Sequence, residues 1–281
     1  MLIDTHAHVN FNAFKEDSLE LLKECLDQNI WVVNVGTQID TSSRAISLAE
    51  KFDKGVYAVV GLHPIHLVSQ HLDEEETSFD TREEAFDYQV YKELANHQKV
   101  VGVGECGLDY YRLPEGKEEE TKKKQMKVFE RQIALAIEVR KPLIVHSRDA
   151  YDDIAELLKK YRLNLADVII HSFIGSPEQA QNFLDLSCYI SFNGIITYKP
   201  RKEKKPGQSD PNLTGAVKLV PLNRILLETD CPYLAPDTVR GTRNSPLNIK
   251  LVAQKIAEVR GIGIEEVAEQ TTKNAREVFG L

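Results

Sequence analysis

Short apolar runs rich in β-branched residues punctuate the chain: LIDTHAH at 2–8, WVVNVG at 31–36, VYAVVGLHP at 56–64, VVGVGECGLD at 100–109, PLIVHSR at 142–148, DVIIHSF at 167–173, CYISFNG at 188–194 and RILLETD at 224–230. Between them, apolar residues recur at helical spacing in SLELLKECLDQN, KKQMKVFERQIALAIEVR, YDDIAELLKKY and PEQAQNFLDLS, and a helical tail follows in LNIKLVAQKIAEVR and EEVAEQTTKNAREVF. Strands alternating with helices predict βαβ units and a parallel sheet. Eight units fit an α/β fold of the closed (β/α)8 TIM-barrel type. An open doubly wound sheet shares this periodicity, because alternation reports on faces and not on closure.

The polar ends of the runs favour the barrel. Each run starts apolar, and most finish on a reactive side chain: His6 and His8, then His63, Glu105, His146, His171, Asn193 and Asp230. In a barrel these ends meet at the C-terminal face, where active sites are built. In the first run, alternation sends His6 and His8 to one face and Thr5 and Ala7 to the other.

Two regions lie outside this pattern. From Ser69 to Lys99 the chain is acidic, and the composition predicts a solvated loop followed by a helix ending near Ala95. From Lys199 to Pro206, KPRKEKKP is basic and proline-broken, in the connection after the seventh strand. Without a repeat, a long linker or a low-complexity tail, one domain over residues 1–281 is expected.

Composition narrows the class. With 42% hydrophobic and 28% charged residues the chain can bury a large core, and no apolar stretch approaches the roughly 18 residues of a membrane span. The first residues lack the basic start and long apolar segment of a signal peptide, so a cytoplasmic location is expected. Cys25, Cys106, Cys188 and Cys231 form no CxxC pair and read as reduced, mostly buried thiols. The net charge of −8 argues against gripping nucleic acid through a global positive field. It leaves local phosphate chemistry open, because bound cations add positive charge that a residue count does not see.

His6, His8, His146 and His171 with Glu105 and Asp230 form a donor set suited to two divalent cations. Imidazole serves Zn²⁺ while carboxylate also serves Mg²⁺ and Mn²⁺, so the identity stays open. Glu105, entering between the N-terminal pair and the later histidines, is the natural bridge, and Asp230 is placed to accept a proton from water. A single histidine at a strand end is usually only a polar rim residue. Six such groups at strand ends are hard to explain that way. GVGECG spells GxGxxG without an immediate following helix, PEGKEEE lacks the full phosphate-loop pattern, and neither HExxH nor GxSxG occurs. Cys106 should face away from Glu105 and be buried, and Cys231 adjoins Asp230 without a histidine in sequence context to activate it.

IDTHAH, GLHP, GECGLDYY, HSRDAYDD, HSFIG, SFNG, LLETDCPYLAP and RGTRNSP follow one another across nearly the whole chain. In this order they resemble the TatD family of metal-dependent hydrolases, a branch of the amidohydrolase-like barrels. The resemblance implies one metal on His6, His8, Glu105 and Asp230 and a second on Glu105, His146 and His171. It also implies phosphodiester hydrolysis, as a DNase of 3′ to 5′ exonuclease character with nucleic acid as the partner. His63 and Arg148 are then expected to contact phosphate, with His63 assisting proton transfer. Tyr110, Tyr111 and Arg112 would line the entrance or stack on a base, or else pack in the core. Asp4 and Glu228 would orient histidines. Arg240 and Asn244 would contact an anion or tether their loop. The alternative on the same barrel is hydrolysis of a small amide, lactone or ester. A metal-holding binding protein without chemistry is a third reading, and it would need neither Asp230 nor His63.

Overall fold

A computed structural model describes residues 1–69, 71–74, 77–80, 82–199, 210 and 212–281. Its strands are β1 (Leu2–Ala7), β2 (Ile30–Val35), β3 (Val56–Val60), β4 (His71–Glu74), β5 (Thr77–Asp80), β6 (Val100–Asp109), β7 (Leu143–Arg148), β8 (Val168–Ile170), β9 (Tyr189–Phe192) and β10 (Ile225–Leu227). Its α-helices are α1 (Ser18–Asp27), α2 (Ile39–Ala49), α3 (Tyr88–Ala95), α4 (Glu118–Val139), α5 (Tyr151–Tyr161), α6 (Pro177–Asp185), α7 (Leu213–Leu219), α8 (Ile249–Arg260) and α9 (Ile264–Phe279).

Eight strands pair in parallel in the order β1-β2-β3-β6-β7-β8-β9-β10, and these are the eight apolar runs. The ends of the sheet come round to each other, giving a nearly closed TIM barrel. At the seam Thr5 Oγ1 donates to Leu227 O at 2.9 Å, and Thr229 donates to Asp4 through its N–H at 2.9 Å and its hydroxyl at 2.5 Å. Just above, Asp230 N–H donates to His6 O at 2.9 Å and His8 N–H to Cys231 O at 2.8 Å. These bonds supply the partners that an open edge would lack.

The core has the two layers a barrel requires. Ile3, Val33, Val35, Val59, Ile144, Ile169 and Leu226 form one buried cluster, with Ala275, Val278 and Phe279 of α9 packed against it. The helix is tied to the strands' N-terminal ends, where Thr272 donates to Met1 O and Asn274 to Leu222 O and Ile225 O. That end is plugged, which leaves the C-terminal end for chemistry. A larger cluster, with Leu22, Phe129, Ile133, Leu158, Phe183 and Ile256, fills the space between barrel and helices and includes Cys106. All four thiols are free and buried.

Local signals set the helix ends. Asp87 accepts from the N–H groups of Gln89 and Val90 at the start of α3, a cap worth about 1 kcal/mol. Ser176 and Gln179 form a reciprocal capping box at α6, with Pro177 at its first position. Three glutamates open α4, where the helix dipole favours negative charge.

The acidic segment differs from expectation. Its helix ends at Ala95 as the sequence predicts, but β4 and β5 pair antiparallel where a loop was expected. Backbone pairing satisfies the amides of this stretch whatever its side-chain charge. Glu84 does not behave as a solvated charge either: it accepts from Tyr91 Oη at 2.6 Å and from Ile39 N–H at 3.3 Å. In the basic segment Lys199 is exposed, while residues 200–206 lie outside the described residues. Among the described residues no helix is long and apolar enough to cross a membrane.

Candidate metal centre

Glu105 lies within β6, and around its carboxylate converge histidines from β1, β7 and the segments just after β1, β3 and β8. Ile3 belongs to the inner cluster, and strict alternation would put His6, three residues on, on the opposite face. Between Asp4 and Ala7, however, β1 spans three residues against two on β2. The additional residue exchanges the faces, so that His6 and His8 turn inward together and Ala7 joins the outer core. The His6 ring stacks on His171 with centroids 3.5 Å apart.

His146 Nδ1 lies 2.9 Å from Glu105 Oε1, with His63 Nε2 at 3.2 Å and His171 Nε2 at 3.5 Å from the same oxygen. His6 Nε2 lies 3.3 Å from the other oxygen, Oε2, and His8 Nε2 3.9 Å from it. Asp230, beyond the end of β10, brings Oδ1 within 3.2 Å of His8 Nε2 and 3.9 Å of both His6 and His171 Nε2. It holds φ +57°, a left-handed conformation that short acidic residues tolerate. All six residues expected to bind metal are thus brought together, with His63 beside them.

In two of the rings a hydrogen bond on the far side fixes which nitrogen offers a lone pair. His8 Nδ1–H donates to Val35 O at 2.9 Å and His171 Nδ1–H to Glu228 Oε2 at 3.0 Å, so in the neutral rings Nε2 faces the cluster unprotonated. His6 has neither nitrogen hydrogen-bonded, although both are buried. Such an orphan costs roughly 1–3 kcal/mol, and a cation on one nitrogen would remove that cost. The donor set therefore fits a divalent metal. His63 is different: its Nδ1 accepts from Ile65 N–H at 3.0 Å, so the single proton of the neutral ring sits on Nε2. It presents a hydrogen to the cluster and not a lone pair, although His63, Glu105 and His146 lie close enough together to be counted as a metal-sized group.

Burial would raise the pKa of Glu105, but its electrostatic interactions with His63, His171 and His6 and the hydrogen bond from His146 outweigh it and hold the carboxyl well below its usual range. Asp230 is lowered for a similar reason: burial is outweighed by the His171 charge and the His8 hydrogen bond. For His171, burial is outweighed by Glu228, Glu105 and Asp230, and its pKa rises to about 10. His63 goes the other way, to about 4, because burial dominates.

Sequence reasoning missed Asp109, the last residue of β6. Its Oδ2 lies 3.3 Å from His146 Nε2 and accepts from Arg112 Nη1 at 3.1 Å, while Oδ1 accepts from the N–H groups of Tyr111 and Arg112. Asp109 thus fixes the far side of His146 and the loop above it. The signal was its spacing, four residues from Glu105 on one strand face. Glu228 orients His171, whereas Asp4 clamps the barrel seam and touches His6 only through its backbone N–H.

The groups expected to meet substrate are more scattered. Arg112 is held by Asp109, and Arg148 lies over the Tyr111 ring at 4.2 Å. Tyr110 turns outward, its hydroxyl donating to Asp153 on α5 and its ring beneath Lys122 of α4. Arg240, exposed, lies over Tyr198. Asn244 is a tether, donating to Thr229 O and Tyr233 O, and Asn193 donates to Ser172 Oγ while accepting from Ile195 N–H.

Proteins similar to this chain in sequence and in fold are known. The sequence profile described as TatD related DNase matches residues 3–280. A Bacillus subtilis protein described as the uncharacterized metal-dependent hydrolase YabD is 38% identical, over the full length of both chains. The 3′-5′ ssDNA/RNA exonuclease TatD of Erwinia amylovora is 30% identical, also over the full length of both. The crystal structure of YJJV, a TatD homolog from Escherichia coli K12, superposes with a TM-score of 0.80 at 28% identity, covering 100% of this chain and 98% of its own.

Proposed function

Because the chain belongs to the TatD family of metal-dependent hydrolases, we propose that it is a phosphodiesterase that removes nucleotides from the 3′ ends of DNA, with two divalent cations as cofactor. The observation that carries the reading is Glu105, a buried, ionised carboxylate with both oxygens facing imidazoles from separate strands. His6, His8, Glu105 and Asp230 would hold one cation, and Glu105, His146 and His171 the other. Magnesium, manganese and zinc all suit such donors. When bound, the cations supply Lewis acidity and positive charge against the phosphate.

The chain's own groups do the rest. Asp230, kept ionised by its histidine neighbours, accepts a proton from the attacking water. His63, neutral at physiological pH, donates its Nε2 hydrogen to a phosphate oxygen and does not act as a base there. Arg148 and Arg112 add positive charge beside the cluster, in keeping with a substrate anion on a chain that is acidic overall.

The test is turnover of 3′-ended single-stranded DNA by manganese- or zinc-loaded protein. Asp230→Asn should lower kcat by about 10²- to 10⁴-fold. Glu105→Ala should abolish both turnover and metal retention. Hydrolysis of small esters, amides or lactones with DNA left intact would overturn the proposal in favour of the carbonyl-hydrolase alternative.

A further inference from the structure

Tyr111, 48% exposed, leaves about half of an aromatic side chain in water. Every other tyrosine, phenylalanine and tryptophan, Phe79 of β5 set aside, is buried or half-buried. It lies two residues beyond the end of β6 and so stands at the mouth of the barrel above Glu105. Its position is built: Asp109 accepts from its N–H at 3.1 Å with the same carboxylate that faces His146. One ring face is covered by the guanidinium of Arg148, two residues past His146 on β7, at 4.2 Å from the ring centroid. In the strand register Gly107 pairs with His146 and Asp109 with Arg148, so this stack begins two residue pairs beyond the one that carries His146. The comparable pair, Arg240 over Tyr198, has its tyrosine hydroxyl tied to Ala235 O and its ring half-buried.

An aromatic ring left in water at the rim of a polar site costs solvation without adding to the core, and a planar cation lies beside it. Both surfaces suit a nucleobase: bases stack on aromatic rings and on planar guanidinium groups regardless of sequence. We propose that the Tyr111–Arg148 stack receives an unpaired base of the strand whose phosphate lies at Glu105, making this a specificity element for single-stranded ends. The inference rests on the phosphodiesterase reading. A base held in a duplex must first be unstacked to reach the ring, so paired ends are disfavoured by this element and not by the catalytic groups.

The test uses the full-length metal-loaded protein with Tyr111→Ala and Tyr111→Phe, and oligonucleotides whose terminal residues carry bases or are abasic. Tyr111→Ala should raise KM for base-bearing single strands about tenfold with kcat little changed, and Tyr111→Phe should behave as wild type. On abasic ends wild type and Tyr111→Ala should coincide. Independently of turnover, a 2-aminopurine near the 3′ end should be quenched on binding to wild type and not to Tyr111→Ala. An equal KM change on abasic and base-bearing strands, or quenching that persists in Tyr111→Ala, overturns the stacking role while leaving hydrolysis in place. Failure of wild type to cleave or bind either strand removes the phosphodiesterase reading and this inference with it.

Discussion

Ile65 N–H donates to His63 Nδ1, which leaves the proton of the ring on Nε2 beside Glu105, and the same burial that enforces this geometry lowers the pKa of His63 to about 4. An unfolded histidine titrates near 6.5. As pH falls below that value the unfolded chain takes up a proton that the folded chain refuses. Stability attributable to His63 is therefore lost between pH 6.5 and about 4. Metal-stripped wild type should lose ~2 kcal/mol more than His63→Gln between pH 7 and pH 5 in urea unfolding. Parallel losses in the two proteins would refute the assignment. His171 has the opposite sign: raised to about 10, it contributes stability that is complete below pH 6.5 and is lost as pH rises through its folded pKa. The residue identities of the site were legible in the sequence because histidine and carboxylate stand out at the ends of apolar runs. Their proton positions were not, because these depend on partners as distant in sequence as Val35 and Glu228.

At the scale of the strand, β6 carries both Glu105 and Asp109 and must lie close against β7. Gly107 makes this approach. It holds φ +142°, and a Cβ there would lie 2.1 Å from His146 O. Gly107→Ala should destabilise the fold by ~2–4 kcal/mol and displace His146, lowering turnover as well. Gly241, at φ +87° with nothing within 4 Å of its would-be Cβ, isolates the backbone contribution, and Gly241→Ala should cost only ~1 kcal/mol. Equal melting shifts for the two variants would count against the packing argument. The glycines of GVGECG thus serve strand packing, and the strand runs on to Asp109 where a dinucleotide-binding motif would turn into a helix. Periodicity identified all eight barrel strands and paired His6 with His8. It could not show the additional residue in β1 that turns both inward, since a bulge exists only in the pairing of two strands. The β4–β5 hairpin was hidden for a similar reason: net acidity describes side chains, while the ladder is made by backbone.

Across the whole molecule, the candidate ligands come from β1, β6, β7 and the segments just after β1, β8 and β10, so the donor set exists only when the barrel is closed. Metal binding should therefore report on global folding. At a hundredfold excess over Kd, an ion that binds only the folded chain adds about 2.7 kcal/mol, or roughly 5–10 °C in Tm for a chain of this size. Calorimetry of wild type with and without manganese or zinc should show this rise, and Glu105→Ala should lack it. An unchanged wild-type Tm at saturation would mean that the ion does not bridge these strands. The seam, where Asp4 meets Thr229 and His6 meets Asp230, also sets an order of events in the cell. A ribosome emits His6 and His8 some two hundred residues ahead of Asp230. Until Asp230 emerges and the seam closes, the proposed donor set stays incomplete, so ion capture would have to wait on barrel closure.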